Sequence, residues 1–184
     1  GKLLESIRVF MNEHSVELSE GTNVHLIEAD AEEYPLGSGY DRIVMAYLWK
    51  YLKEPETLLE KAHDALALDG VLCFVHGSTL IMEDYDRIYQ AFAGQPCLEE
   101  RMAQVQEELD EMDSALHRVF PRVEEVPFEN ELTFTHALDL YRFMMDSYEE
   151  LTTAIKAQGI GFVSFLRRYV EEQGTVTLHS RVLL

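Results

Sequence analysis

Hydrophobic positions along this chain switch between two periods. Leu3, Leu4, Ile7, Phe10 and Met11 recur at helical spacing and predict an opening helix. Gly21-Thr22-Asn23 reads as a turn, and Val24 to Ala29 as a strand ending at Asp30. Pro35, Gly37 and Gly39 mark a loop. Tyr40 to Tyr47 carries the unbroken apolar run Ile43-Val44-Met45-Ala46, the pattern of a strand buried on both faces. Pro55 suits the first turn of a helix, whose one side bears Leu58, Leu59, Ala62 and Leu66 and whose C-cap reads as Gly70. Val71 to Val75 is a second buried strand. Strand, helix and strand joined by short loops predict a parallel sheet with crossover helices.

After Gly77 the pattern becomes mainly helical. Leu80 to Ala93 is a predicted helix, broken at Gly94-Gln95-Pro96. Met102, Val105, Leu109, Met112, Leu116 and Val119 then alternate steps of three and four on an acidic helix. That seam is too short for a convincing coiled coil. It fits a helix lying on the domain's own core, and it also fits a lid or a subunit contact. Val123 to Thr135 is extended around Pro127. Leu138, Tyr141, Met145, Tyr148 and Ile155 predict one longer helix, Phe162 to Val170 another, and Thr175 to Leu184 a terminal strand. The expected organisation is a single domain: a core over 1–77, a helical lid or interface insertion over 78–121, and C-terminal strands and helices over 122–184.

Composition narrows the partners. The 184 residues carry 34 acidic against 15 basic side chains, for a net charge of −19. Such a chain repels polyphosphate backbones, and Arg167-Arg168 is only a pair, so nucleic acid is not an expected partner. A solvated, solubilising surface accounts for the acidity, as would a salt-adapted source or a basic partner. Cys73 and Cys97 form neither a disulfide framework nor a zinc spacing, which points to a reducing, cytoplasmic setting. The run Ile43 to Trp49 is too short to span a bilayer, so no membrane role is expected.

Six segments carry a family resemblance. Asn23-Val-His-Leu-Ile-Glu-Ala-Asp30-Ala-Glu-Glu-Tyr-Pro35 resembles the third strand and adenine loop of class I S-adenosylmethionine-dependent methyltransferases. Tyr40-Asp-Arg-Ile-Val-Met-Ala-Tyr47 resembles their fourth strand. Tyr51-Leu-Lys-Glu-Pro55-Glu with Leu58-Leu59-Glu60-Lys61 is similar to the start of the next helix, and Leu66-Ala-Leu-Asp-Gly70-Val-Leu-Cys-Phe-Val75 to the approach to the fifth strand. The tail from Glu125-Val-Pro-Phe128 onward resembles the last third of such enzymes. The opening residues, Gly1 to Arg8, resemble the helix after the family's second strand. The resemblance therefore implies an α/β fold: an incomplete Rossmann-like class I methyltransferase sheet, with added helices after the fifth strand. The glycine-rich motif, first helix and first two strands are not found. Gly37-Ser-Gly39 and Gly159-Ile-Gly161 lack the strand, loop and helix context of a glycine fingerprint.

The family's strands run third, second, first, fourth, fifth, seventh, sixth across the sheet. Without the first two, Val24 to Ala29 has no neighbour and Tyr40 to Tyr47 becomes an apolar edge, which is an aggregation hazard. The expectation is a protein partner or homodimer that completes the sheet.

Methyl transfer from a sulfonium is a displacement on an already activated donor, so the protein mainly positions the reactants and supplies a base where one is needed. The site should lie beyond the carboxyl ends of the strands. By resemblance, Asp30 would accept from the adenine amine, Ala31 would line the adenine pocket, and Ala46 and Tyr47 would flank the methionyl part. Asp30 also suits a loop acid capping a turn, and Tyr47 a packed aromatic. His76, ending the fifth strand, has a titration range suited to a general base, although a structural histidine fits as well. Trp49 and Tyr51 are candidate walls of a substrate pocket or ordinary core aromatics. The remaining histidines are scattered without ligand spacing, and no metal site is expected. The implied activity is S-adenosylmethionine-dependent methylation of a small molecule, working only when the cofactor-binding half is supplied by another chain or segment. The alternative is a non-catalytic methyltransferase-fold subunit that supports a partner.

Overall fold

The computed structural model describes His25 and residues 27–183. Residues 37–184 form one unit and residues 1–36 another, each described by itself. The predicted helix over Leu3–Met11 and the turn at Gly21-Thr22-Asn23 lie outside the described residues. So do Val24 and Leu26 of the strand expected at Val24–Ala29. The described part of that strand, His25 and Ile27–Ala29, adopts no strand conformation. This corrects the expectation for those residues: a strand exists through its ladder, and no pairing with another strand is formed there.

In the larger unit, β1 (Tyr40–Ala46) leads through a 3-10 turn at Trp49–Tyr51 to α1 (Pro55–Ala65) and β2 (Leu66–Gly77). Then follow α2 (Leu80–Ala93), α3 (Glu99–Val119), β3 (Pro127–Phe134), α4 (Ala137–Met145), α5 (Glu149–Gln158), α6 (Ile160–Gln173) and β4 (Val176–Leu183). The sheet order is β1-β2-β4-β3. β1 and β2 are parallel, with Ile43 opposite Leu72, Met45 opposite Phe74 and Ala46 opposite Val75. β4 runs antiparallel to both of its neighbours. Its ladder with β3 is long, from Pro127↔Leu183 to Phe134↔Val176. With β2 it shares only His76↔Leu183 and Gly77↔Val182, prolonged by a bond from the Ser78 N–H to the Arg181 carbonyl at 3.0 Å.

Three expectations change. Gly70 is not a helix cap. α1 ends at Ala65, and Gly70 lies inside β2 at a register irregularity, where a Cβ would stand 2.7 Å from the Tyr40 carbonyl oxygen. Only a residue without a side chain permits that approach. The apolar run of β1 is not buried on both faces: Met45 is 5% exposed, but Val44 is 66% exposed. Alternate residues of a strand face opposite ways, and only the Met45 side is covered by α1 and its neighbours. The long helix expected over Leu138–Ile155 is two helices. Tyr148 is extended, and the hydroxyls of Ser147 and Thr152 bond to the carbonyls of Met144 (2.6 Å) and Met145 (2.9 Å) that end α4. Those carbonyls would otherwise be orphaned at the helix end.

The α3 seam is used within the chain. Val105, Leu109, Met112 and Ala115 are buried, and the helix packs against α1. Around the opposite half of the sheet, α2 lies on β4, while α4, α5 and α6 bury Leu140, Met144, Leu151, Ile155, Phe162 and Leu166 almost completely.

Candidate functional site

The carboxyl ends of β1 and β2 lie side by side, which is where open α/β sheets bind ligands. The Tyr47 N–H bonds to the Val75 carbonyl at 2.9 Å, so the chain leaves β1 level with the end of β2. At that point it turns sharply. Tyr47 has φ of 56°, the only non-glycine residue at positive φ among those described. A bulky residue in this region is a genuine outlier, and such strain clusters at functional sites. The Tyr47 side chain is 52% exposed, so packing does not explain its position. A Cβ added at Gly77 would meet the Tyr47 ring at 3.7 Å, which places the ring beside the end of β2. Ala46 is exposed next to it. His76 is half-buried, and its Nδ1 stands 2.7 Å from the Gly77 carbonyl oxygen. A carbonyl only accepts, so Nδ1 donates and the neutral ring keeps its lone pair on Nε2. Ala46, Tyr47 and His76 are thus brought together.

The other expected residues are dispersed. Trp49 is 7% exposed and packs edge-on against Phe74, with ring centroids 5.9 Å apart. It also floors a groove of about 770 Å³ between the start of α1 and α3, walled by Pro55, Glu56, Gln106, Asp110 and Arg118. Arg118 is bound to both carboxylate oxygens of Glu56, at 2.9 and 3.2 Å, leaving the groove's other charged walls acidic. Tyr51 is 71% exposed beneath the Lys50 ammonium and is no part of that lining. Asp30 and Ala31 belong to the smaller unit and are both exposed. Asp30 Oδ1 accepts from the Glu32 N–H at 2.9 Å, and the Asp30 carbonyl accepts from Glu33 and Tyr34, so this acid caps its own turn.

Two buried aspartates on α2 were not legible as special in the sequence. Asp86 accepts from the Cys97 and Leu98 N–H groups, at 2.6 and 3.0 Å, and so caps the start of α3 from another helix. Burial, reinforced by the Asp86 charge, pushes the Cys97 thiol up to about 12, which makes it a poor nucleophile. Asp84 accepts from the His179 backbone N–H at 2.6 Å and stands 2.8 Å from His179 Nδ1, while its other oxygen pairs with Arg87. Burial alone would raise the Asp84 carboxyl, but the bonds from Arg87 and His179 outweigh it and hold the group below the ordinary carboxylate range. His179 therefore has a specific partner, in contrast to its reading as one of several scattered histidines. The two residues are 95 positions apart, and no local pattern connects them.

With this geometry in view, likeness to known proteins can be weighed. No protein-family model matches the sequence. No curated protein matches it either. Among solved structures, the chain is similar to one described as a putative methyltransferase from Bacillus halodurans C-125. The TM-score is 0.51 at 13% identity, covering 99% of this chain and 76% of the other. The likeness shows a shared methyltransferase-like α/β fold. At such low identity it carries no residue's role across, so the site rests on the geometry of this chain's own residues. No helix among the described residues is long and apolar enough to cross a membrane.

Proposed function

We propose that this chain contributes the acceptor side of an S-adenosylmethionine-dependent methyltransferase acting on a small molecule, completed by a second chain or segment that supplies the cofactor-binding half. The observation that carries this is the strand sequence and polarity: two parallel strands, then an antiparallel one, then a strand parallel to the first two. Read against the family, β1, β2, β4 and β3 correspond to its fourth, fifth, seventh and sixth strands, in that spatial order. The strained Tyr47 at the end of β1 supports a ligand at that crevice.

The residues present suit the methionyl end of the donor. Ala46 offers little bulk, Gly77 has no side chain to block the approach, and the Tyr47 ring stands beside it. When bound, S-adenosylmethionine supplies an electrophilic methyl on sulfur. Tyr47 and Ala46 would orient its chain, and His76, with Nε2 free to accept, would hold or receive a proton from the acceptor. Within the smaller unit Asp30 would receive the adenine amine, beside Ala31; within the larger, Trp49 would floor the acceptor groove. The second chain would pair along the outer edge of β1, the strand that ends the described sheet. A second reading, a supporting subunit without cofactor, draws on Asp30, whose carboxylate already serves its own turn.

Calorimetric titration with S-adenosylmethionine, on the chain alone and on the chain with its co-purifying partner, tests the proposal. Binding is expected only in the complex, and Val44→Lys on the β1 edge should abolish both complex and binding. Binding by the chain alone would remove the need for a second half. No binding in either setting would favour the supporting subunit.

A further inference from the structure

The pairing of Asp84 with His179 lies at the same end of the sheet as Tyr47 and His76. β4 pairs with β2 through Val182 and Leu183, then through Arg181 to Ser78. Continuing that register, His179 falls beyond the carboxyl end of β2, level with the start of α2. Here β4 has lost its neighbour, and Asp84 takes the N–H that β2 would have bonded. That alone is a structural role. The ring is what goes beyond it. One carboxylate oxygen, Oδ2, binds both the His179 backbone N–H and Nδ1.

A carboxylate only accepts, so neutral His179 must carry its proton on Nδ1 and its lone pair on Nε2. The Asp84 side chain is 10% exposed and that of His179 46%, so the acid is enclosed and the ring opens to solvent. Nε2 makes no hydrogen bond among the described residues. Other charged groups around the pair are Arg87 on α2 and Glu131, opposite His179 on β3. His76 differs in one respect: its Nδ1 faces a neutral carbonyl, which stabilises an imidazolium less than a carboxylate does.

We propose that Asp84 and His179 form a proton-accepting dyad for a hydroxyl- or amine-bearing ligand held at the carboxyl end of the sheet. His179, in place of His76, is the base and Asp84 the positioning residue. The reaction served rests on the methyl-transfer reading. As the acceptor's lone pair forms its bond to the sulfonium methyl, the sulfur–methyl bond breaks, and its electron pair stays on sulfur to give a neutral thioether. The acceptor's proton passes to His179 Nε2, and the resulting imidazolium, held by Asp84, later releases it to water.

Long-range proton–nitrogen NMR of the full chain tests the dyad without any substrate. Neutral His179 should be almost wholly in the Nδ1–H form, and Asp84→Ala should shift it toward the Nε2–H form that free imidazole favours. At neutral pH, diethylpyrocarbonate should acylate His179 at Nε2 in the wild type. A neutral ring in the Nε2–H form, or a ring that resists acylation while exposed His63 and His117 react, would overturn the proposal. In the completed enzyme, His179→Gln should lower kcat roughly 100-fold or more, with little change in acceptor KM. An unchanged kcat and pH profile would refute the role as base. An Nδ1–H ring in a protein that binds no sulfonium in any complex would keep the dyad and sink the methyl-transfer reading.

Discussion

At one side of the sheet, Val44 of β1 is 66% exposed and Val71 of β2 is 49% exposed. At the other, Val176 and Leu178 of β4 are 6% and 0% exposed. These are similar apolar side chains in similar strands, yet their surroundings differ. At Val176 and Leu178 β4 pairs with β3 alone but lies beneath α2, and the nearby helices interlock through Phe92, Phe162, Phe165 and Tyr169. β1 ends the described sheet and is covered on one face only. The two regions therefore differ in what covers them: one is buried beneath the chain's own helices, while Val44 and Val71 stand on an uncovered face of β1 and β2.

The sharpest way to break this contrast is a pair of truncations. Phe162→Ala, in the closed half, should cost about 3–5 kcal/mol, because its ring is fully buried among other aromatics. Val44→Thr, on the open face, should cost less than about 0.5 kcal/mol. Urea midpoints for the isolated chain decide it. Comparable losses would mean that β1 is covered after all.

Asp84→Asn comes next, at about 1–3 kcal/mol near neutral pH, since the buried acceptor serves a strand-edge N–H and two side chains. The folded carboxyl lies below its unfolded value of about 3.9, so the folded state holds the smaller share of protons in acid. The wild type's advantage should be complete above that value and vanish as pH falls through the lower folded one. An advantage that instead grew in acid would show that the bonds to Asp84 do not favour its ionised form.

No loss at all is expected at the junction between the two regions. Tyr47→Asn should leave stability unchanged or raise it by up to about 1 kcal/mol, because Asn tolerates the left-handed backbone and the Tyr47 ring is half exposed. A clear loss of stability would mean that the ring packs for the fold. Stability kept while sulfonium binding by the complex is lost would mark Tyr47 as a ligand-facing residue.

Much of the architecture was readable because its signals are local. Pro55 opens α1, Gly94 closes α2 in the left-handed conformation, and the step-three, step-four pattern of Val105, Leu109 and Met112 gave α3 its buried face. Gly70 and the Leu138–Ile155 segment were misread for one reason. The first is dictated by a carbonyl from a neighbouring strand and the second by hydroxyls bonding across a helix end, and neither is a property of a short window. Ala46, Tyr47 and His76 could be placed at the carboxyl ends of β1 and β2 because strand ends can be located from sequence. The left-handed turn at Tyr47 could not be, since nothing about that residue favours it.

By itself, then, the sequence determined the alternation of strands and helices and the acidic composition, because propensity, period and charge act residue by residue. Only the tertiary structure decided which apolar strand face is covered. It alone turned Asp84 and Asp86 into buried acceptors and brought Asp84 to His179. Those outcomes depend on which backbone groups lose their partners where elements end, and that is settled only when distant segments pack together.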